Sequence, residues 1–317
     1  MSVQVDILLA TFNGDAYLSA QLDSILLQTY PHWHLYIRDD GSSDKTTDII
    51  AHYTGQYPDK ITYLGSGHNG RGAKGNFSLL MEAATSSYIA FSDQDDIWMT
   101  DKIAVSLSAL RELENNQPEI PCMIFTDLSL INADGKELAI SLWKHESINP
   151  RHTALSRLLV QNVPYGCASI INRSLLLLAT PVEDRAMLHD HWIALLAAAS
   201  GRVGYIQQPT IYHRIHTHNA SRAANPIQRE REISLKAIAG GKNFKNYFSL
   251  LQMQAAAVLG RINERGIGAK ANDCNQRVLM DFVHIQENYW WKRKILMIRN
   301  RYFKQSWQQT IKWIVRL

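Results

Sequence analysis

Cysteine is scarce in this chain of 317 residues: Cys122, Cys167 and Cys274 are odd in number and stand far apart. They offer neither a disulfide framework nor the close spacing of a metal cluster, and a reducing compartment is their natural setting. Long apolar runs are missing too. No stretch reaches the roughly 18 uncharged apolar residues that a membrane span needs, and the longest run of the second half, Trp192 to Ala199, falls far short. The opening Met1 to Asp6 lacks a basic region and Asp6 interrupts its apolar run, so no signal peptide is expected. Charge is modest. Charged residues make up 20% and the net charge is +4, which excludes a disordered composition and gives no argument for nucleic acid. Repeats and low-complexity segments are absent. What is there is 46% hydrophobic, enough core for one large domain or two smaller ones.

The first hundred residues alternate short apolar runs with helical periods. Val3 to Ala10, His34 to Arg38, Ile61 to Leu64 and Tyr88 to Ser92 read as strands. Between them, Leu18, Leu22, Ile25 and Leu26 recur at helical spacing, Ser42 or Ser43 is placed to cap a helix through Ile49 and Ile50, and Asn76 to about Ala84 follows a glycine-rich loop. A further helix spans about 101–114. This rhythm predicts βαβ units and an α/β fold with a mainly parallel sheet flanked by helices. Later, Met123 to Thr126, Ala168 to Ile171 and Val203 to Gln207 read as strands, His189 to Ala199 as a helix, Arg214 to Asn219 as a polar loop, and the chain from about Pro226 as helical. The boundary is drawn as 1–222 for the α/β domain and 223–317 for a helical region.

Ligands of open parallel sheets bind at the carboxyl ends of strands. Three polar signals sit at such ends: Thr11-Phe12-Asn13, Asp39-Asp40-Gly41-Ser42 and Asp93-Gln94-Asp95-Asp96. In the last, three carboxylates within four residues repel one another, and a hard divalent cation, Mg²⁺ or Mn²⁺, shared with a diphosphate would relieve that cost. The bland alternative is an acidic loop or helix start. Asp39-Asp40-Gly41 is equally a plain turn, and Asp190 equally a first-turn helix residue. The loop Gly70 to Asn76 lacks the Gly-Lys-Ser/Thr ending of a P-loop and reads as a donor-side loop, with Lys74 or Arg71 as candidate contacts. The histidines, His213 and His218 among them, follow no zinc pattern and read as surface or packing residues.

Four segments in order carry a resemblance: Ile7 to Asn13, Leu26-Leu27-Gln28-Thr29-Tyr30, Ile37 to Asp44 and Ser92 to Trp98. They resemble the family 2 glycosyltransferases of GT-A fold, and the Asp-Gln-Asp-Asp-Ile-Trp form is similar to that of bacterial rhamnosyltransferases of O-antigen and capsule assembly. The resemblance covers about the first two-thirds of the chain. It implies an inverting, metal-dependent transfer from a nucleotide sugar, with dTDP-rhamnose as the expected donor and a saccharide or lipid-linked acceptor. It places Thr11, Asn13 and Asp40 at the nucleoside, with Asp39 the alternative to Asp40. It makes Asp93 and Asp95 the metal pair, Asp190 the general base, and His216 a neighbour of the diphosphate or metal. The sequence departs from the commoner pattern at Tyr212-His213-Arg214, where a Tyr-Arg pair is often adjacent. A UDP-hexose transferase of the same fold and a non-catalytic nucleotide-sugar-binding module stay open as alternatives.

The end of the chain lacks acid. From Trp290 onward there are eight Lys and Arg and no Asp or Glu, interleaved with aromatics. Trp307, Ile311, Ile314 and Val315 are expected on one helical face, with Gln309, Lys312 and Arg316 on the other. Such a basic amphipathic helix suits an anionic membrane surface, whereas a helix packed on the catalytic domain with a solvated basic face is the alternative. The expected setting is cytoplasmic, peripheral at the inner face of the membrane, with no nucleic-acid partner.

Overall fold

The structure, a computed structural model, describes residues 3–67, 71–216, 241–266 and 273–317. The boundary expected at 222/223, and His218 and Gly70, lie outside them. Among the described residues nine strands form one sheet: β1 (Val5–Thr11), β2 (Trp33–Asp39), β3 (Ile61–Ser66), β4 (Tyr88–Asp93), β5 (Ile97–Trp98), β6 (Cys122–Asn132), β7 (Glu137–Ala139), β8 (Ser169–Asn172) and β9 (Arg202–Ile215). Their order is β3-β2-β1-β4-β8-β6-β9-β5, with β7 on β6. The first four strands are mutually parallel, as the alternating rhythm predicts. Beyond β4, strand β8 runs antiparallel to both its neighbours while β9 runs parallel to β6.

Helices flank the sheet: α1 (Leu18–Leu26), α2 (Thr46–Gln56), α3 (Gly72–Ala83), α4 (Lys102–Glu114), α5 (Leu142–His145), α6 (Leu155–Leu158), α7 (Arg173–Ala179) and α8 (His189–Ser200). Four more follow: α9 (Gly241–Glu264), α10 (Asp273–Val283), α11 (Trp290–Arg299) and α12 (Trp307–Arg316). Central β1 is an almost unbroken buried run, as a parallel strand covered on both faces must be. Helix α1 is less ordinary. Its apolar side, Leu18, Leu22 and Ile25, enters the core, but Gln21, Ser24 and Gln28 are buried as well. Gln21 Nε2 donates to Ser92 Oγ (2.7 Å), Ser24 Oγ accepts from Trp98 N (3.0 Å), and Gln28 Nε2 donates to Met99 O (2.8 Å). A polar stripe at helical spacing thus satisfies the backbone of the chain leaving β4, which buried peptide groups require.

Several boundaries differ from expectation for identifiable reasons. Helix α2 begins at Thr46, and neither Ser42 nor Ser43 caps it. Both serines are held in the turn after β2: Ser42 bonds to Asp39, and the Ser43 amide donates to Asn13 Oδ1 (2.9 Å). Helix α3 starts at Gly72, inside the glycine-rich loop. Strand β9 runs on through Arg214 and Ile215, which are therefore strand and not loop, because they pair with Ile131 and Asn132 at the end of the eleven-residue β6.

Asp6, which breaks the apolar run of the first strand, is buried and structural. Its carboxylate accepts from Thr85 N (2.7 Å), Ser86 N (2.8 Å) and Ser86 Oγ (2.6 Å), fixing the turn into β4. Asp6→Ala strands these donors and is expected to cost about 3 kcal/mol, read as a lowered denaturant midpoint with unchanged slope.

Candidate active site

Strand register brings the three polar signals together. Thr11 pairs with Asp39 across β1 and β2, and Ala10 pairs with Asp93 across β1 and β4. All three strands end at the same edge of the sheet. Asp39 is fully buried. Its carboxylate accepts from Thr11 Oγ1 (2.9 Å), Gly41 N (3.0 Å), Ser42 N (2.8 Å), Ser42 Oγ (2.5 Å) and Ser66 Oγ (2.8 Å). Burial raises its pKa, yet the hydrogen bonds outweigh burial and hold it below the usual carboxylate value. A carboxylate has about four lone-pair sites, so Asp39 is saturated. Gly41, at φ +92°, completes the turn and closes on the Gly67 carbonyl.

Asp40 is differently placed. It accepts from Arg71 N (3.1 Å) and Gly72 N (2.8 Å) at the start of α3, and Arg38 Nη1 lies 3.9 Å away. Two donors among the described residues fill half of its lone pairs. Of the adjacent pair, Asp40 is therefore the carboxylate with acceptor capacity left, while Thr11 and Asn13 serve the turn that presents it. Asn13 sits at φ +46°, and its Oδ1 accepts from the Ser43 amide. Lys74, a candidate anion contact by sequence, instead donates from Nζ to the Asp184 and Ala186 carbonyls (2.7 and 2.9 Å), fastening the segment before α8.

The acidic cluster is gripped from three sides. Gln94 pairs by both ends of its carboxamide with the Phe12 backbone, accepting from N (2.8 Å) and donating to O (2.9 Å). Asp96, wholly buried, accepts from His213 Nδ1 (2.8 Å) and Arg214 N (3.3 Å). Arg214 Nε donates to the Asp95 carbonyl (3.1 Å), and the guanidinium lies over the Tyr17 ring. Asp95 Oδ2 and His216 Nε2 are 2.9 Å apart. Burial pulls the His213 pKa down, but the charge and hydrogen bond of Asp96, with Asp95 and Asp93 beyond, prevail and push it up to about 9. His213 is thus a partly buried cation paired to the cluster, not the surface or packing residue its sequence suggests. The contacts of Gln94, His213 and Arg214 could not be read from the sequence because their partners lie roughly 80 to 120 positions away.

Asp93 has no side-chain hydrogen bond or ion pair among the described residues. Burial, then the charges of Asp96 and Asp95, push its carboxyl up to about 8. Such a carboxyl stays protonated near neutral pH unless a nearby cation offsets the charges of its two neighbours. The oxygens of Asp93 and Asp95 suit a hard divalent ion. Asp96, Cys167 and His213 also approach one another within 4.8 Å, but there the protonated His213 already answers Asp96, and Lys102 adds a second positive charge near Asp96 and Cys167.

Asp190 lies in the first turn of α8 and does not cap it; the cap position is Leu188. Its charge raises the pKa of Asp93, so the two face one region. Burial pushes Asp190 itself up to about 6, against the opposing pull of the His191 and Gly166 amides. Gly166 is glycine because a Cβ there would meet the His189 ring and Asp190 Cβ. Helix α8 is buttressed from α9. Gln254 accepts from Met187 N (2.7 Å) and bonds His191 Nδ1 (3.1 Å), while His191 Nε2 donates to Leu158 O (2.7 Å).

This arrangement is the GT-A fold. The amino-terminal 349 residues of Staphylococcus aureus TarS, solved with UDP, superpose with a TM-score of 0.56 at 15% identity, over 92% of this chain and 83% of that one. The glycosyl transferase family 2 profile matches residues 6–175, more than half of the chain, and the protein belongs to that family. It is similar to the dTDP-rhamnosyl transferase RfbG of Shigella flexneri, 27% identical over 223 residues, 67% of this chain and 72% of that protein. It is also similar to the Escherichia coli UDP-Glc:alpha-D-GlcNAc-diphosphoundecaprenol beta-1,3-glucosyltransferase WfgD, 29% identical over 176 residues, 54% of this chain and 61% of that protein.

A side chain at Gly14 would overlap the Gln94 carboxamide. Gly14→Ala is therefore expected to destabilise by about 1–3 kcal/mol. In the Gln94→Ala background the same substitution should cost less than half as much. Equal costs in a double-mutant cycle of chemical denaturation would disprove the coupling.

Proposed function

We propose that this glycosyltransferase moves a sugar from a nucleotide-sugar donor to a saccharide or lipid-linked acceptor in a single inverting displacement, in bacterial surface polysaccharide synthesis at the cytoplasmic face of the membrane. The observation that carries the reading is Asp190, a carboxyl raised to about 6 by burial and set in electrostatic reach of the acidic cluster. Such a group is matched to general-base work near neutral pH. It would take the proton of the acceptor hydroxyl as that oxygen attacks the anomeric carbon. Asp93 and Asp95 would hold Mg²⁺ or Mn²⁺, with His216 beside them; a bound cation would neutralise the charge gathering on the departing nucleoside diphosphate. Asp40, with its unfilled lone pairs, would accept from the nucleobase, on a turn shaped by Thr11 and Asn13.

For the donor we favour dTDP-rhamnose, supported by the Asp93-Gln94-Asp95-Asp96-Ile97-Trp98 segment and by likeness to RfbG. A UDP-hexose is the second reading, supported by likeness to WfgD.

Asp190→Asn is expected to lower kcat by about 10²–10⁴-fold while nucleotide affinity stays within twofold. In the native enzyme Asp190 is protonated and unable to accept a proton below pH 6, so kcat should rise with pH through an apparent pKa of about 6 and level off above it. Near-native turnover of Asp190→Asn, or a flat profile between pH 5 and 8, would refute the base assignment.

A further inference from the structure

Helices α11 and α12 each bury one apolar side against the protein and expose another. In α11, Leu296 and Met297 face inward, yet Trp291, Ile295 and Ile298, at the helical spacing of one stripe, are half or more exposed. In α12, Thr310 and Trp313 face inward, with Trp313 against Phe244 and Phe248 of α9. Trp307, Ile311 and Val315 point to solvent, with Trp307 and Val315 each 67% exposed. The single apolar face expected from sequence is thus split: Ile314 belongs with the inward side, and the outward stripe lacks it.

The pattern is peculiar to this region. Of eight tryptophans, five are buried, and the three exposed ones, Trp290, Trp291 and Trp307, all lie here. A surface helix normally has one apolar stripe, and a second, tryptophan-bearing one marks an interaction surface. Its charge says which. Arg299 pairs with Asp281 (2.5 Å) and Lys304 is buried over Trp313, but Lys292, Lys294, Arg301, Lys312 and Arg316 make no ion pair among the described residues. No acidic residue follows Glu287. Tryptophan and aliphatic side chains flanked by unpaired cations match the boundary of an anionic bilayer, where indole sits at headgroup depth and Lys and Arg meet lipid phosphates.

We infer that the outward stripes of α11 and α12, with their flanking Lys and Arg, dock the enzyme on an anionic lipid surface. This deepens the proposed function, on whose lipid-linked acceptor it rests for its purpose though not for its physics. Docking would hold the enzyme where such an acceptor is confined. A protein partner or a second copy of the chain fits less well, because neither demands the uniformly positive border.

The full-length protein would be sedimented with vesicles of neutral phosphatidylcholine and with vesicles containing 30% phosphatidylglycerol (about one anionic lipid in three, ample for the surface potential such segments sense). Binding at least tenfold tighter to the anionic vesicles, weakened by salt, is expected. The variant Trp291→Ser/Ile295→Ser/Trp307→Ser/Ile311→Ser, with every change at an exposed position, should lose that binding at least tenfold while keeping its thermal midpoint. Undiminished binding by the variant, or no binding by the native protein, would overturn the inference. So would a native dimer that the variant disperses without any effect of lipid, which would assign the face to a second copy. Nucleotide affinity measured on the same samples separates the two proposals: its absence from the native protein would count against the transferase reading and leave the vesicle result standing.

Discussion

Mutual repulsion among Asp93, Asp95 and Asp96 is the constraint around which the carboxyl edge of the sheet is built. Three carboxylates at the end of a buried strand would not stay together unless held. The protein holds them with the Gln94 carboxamide locked onto the Phe12 backbone, with a protonated His213 against Asp96, and with Arg214 on the Asp95 carbonyl. The polar stripe of α1 pins the chain on either side. What these contacts leave unanswered is the charge on Asp93. The fold neutralises one carboxylate of the cluster, Asp96, internally and leaves Asp93 without a side-chain partner among the described residues, where the proposed cation would sit. At the end of β2 the adjacent carboxylates divide in a similar way, with Asp39 saturated and Asp40 taking two donors among the described residues.

The parallel half of the sheet was legible because β1 and β4 are buried on both faces and write continuous apolar runs, while β2 alternates buried and half-buried positions. The meeting of Thr11, Asp40 and Asp93 followed from the rule that parallel strands end on one edge. The antiparallel additions were harder to read. Strand β5 has two residues, and the length of β9 is set by pairing with β6 and not by its own composition. The turn serines looked like helix caps because Ser favours both settings, and only the contacts of Ser42 with Asp39 and of Ser43 with Asn13 decide between them. His213 and Gln254 carried no local signal, since their significance lies wholly in partners distant along the chain.

The second half of the chain supports the first in two ways. Helix α9 fixes the start of α8 through Gln254, and Arg261 Nη1 and Nη2 bind the carbonyls of Leu178, Thr180 and Pro181 before it. The position of Asp190 therefore depends on residues beyond the family-matched segment. Helices α11 and α12, in turn, are fastened by an inward apolar side while turning tryptophan and positive charge outward. Under both proposals, catalytic geometry and placement at a surface would draw on different faces of the same helical region.

Calorimetric titration of dTDP, UDP and GDP, each with and without Mn²⁺, tests most directly whether the acidic edge is a metal–nucleotide site. The account predicts binding that requires Mn²⁺ and favours dTDP. Binding that is indifferent to the metal, or absent for all three nucleotides, would contradict it.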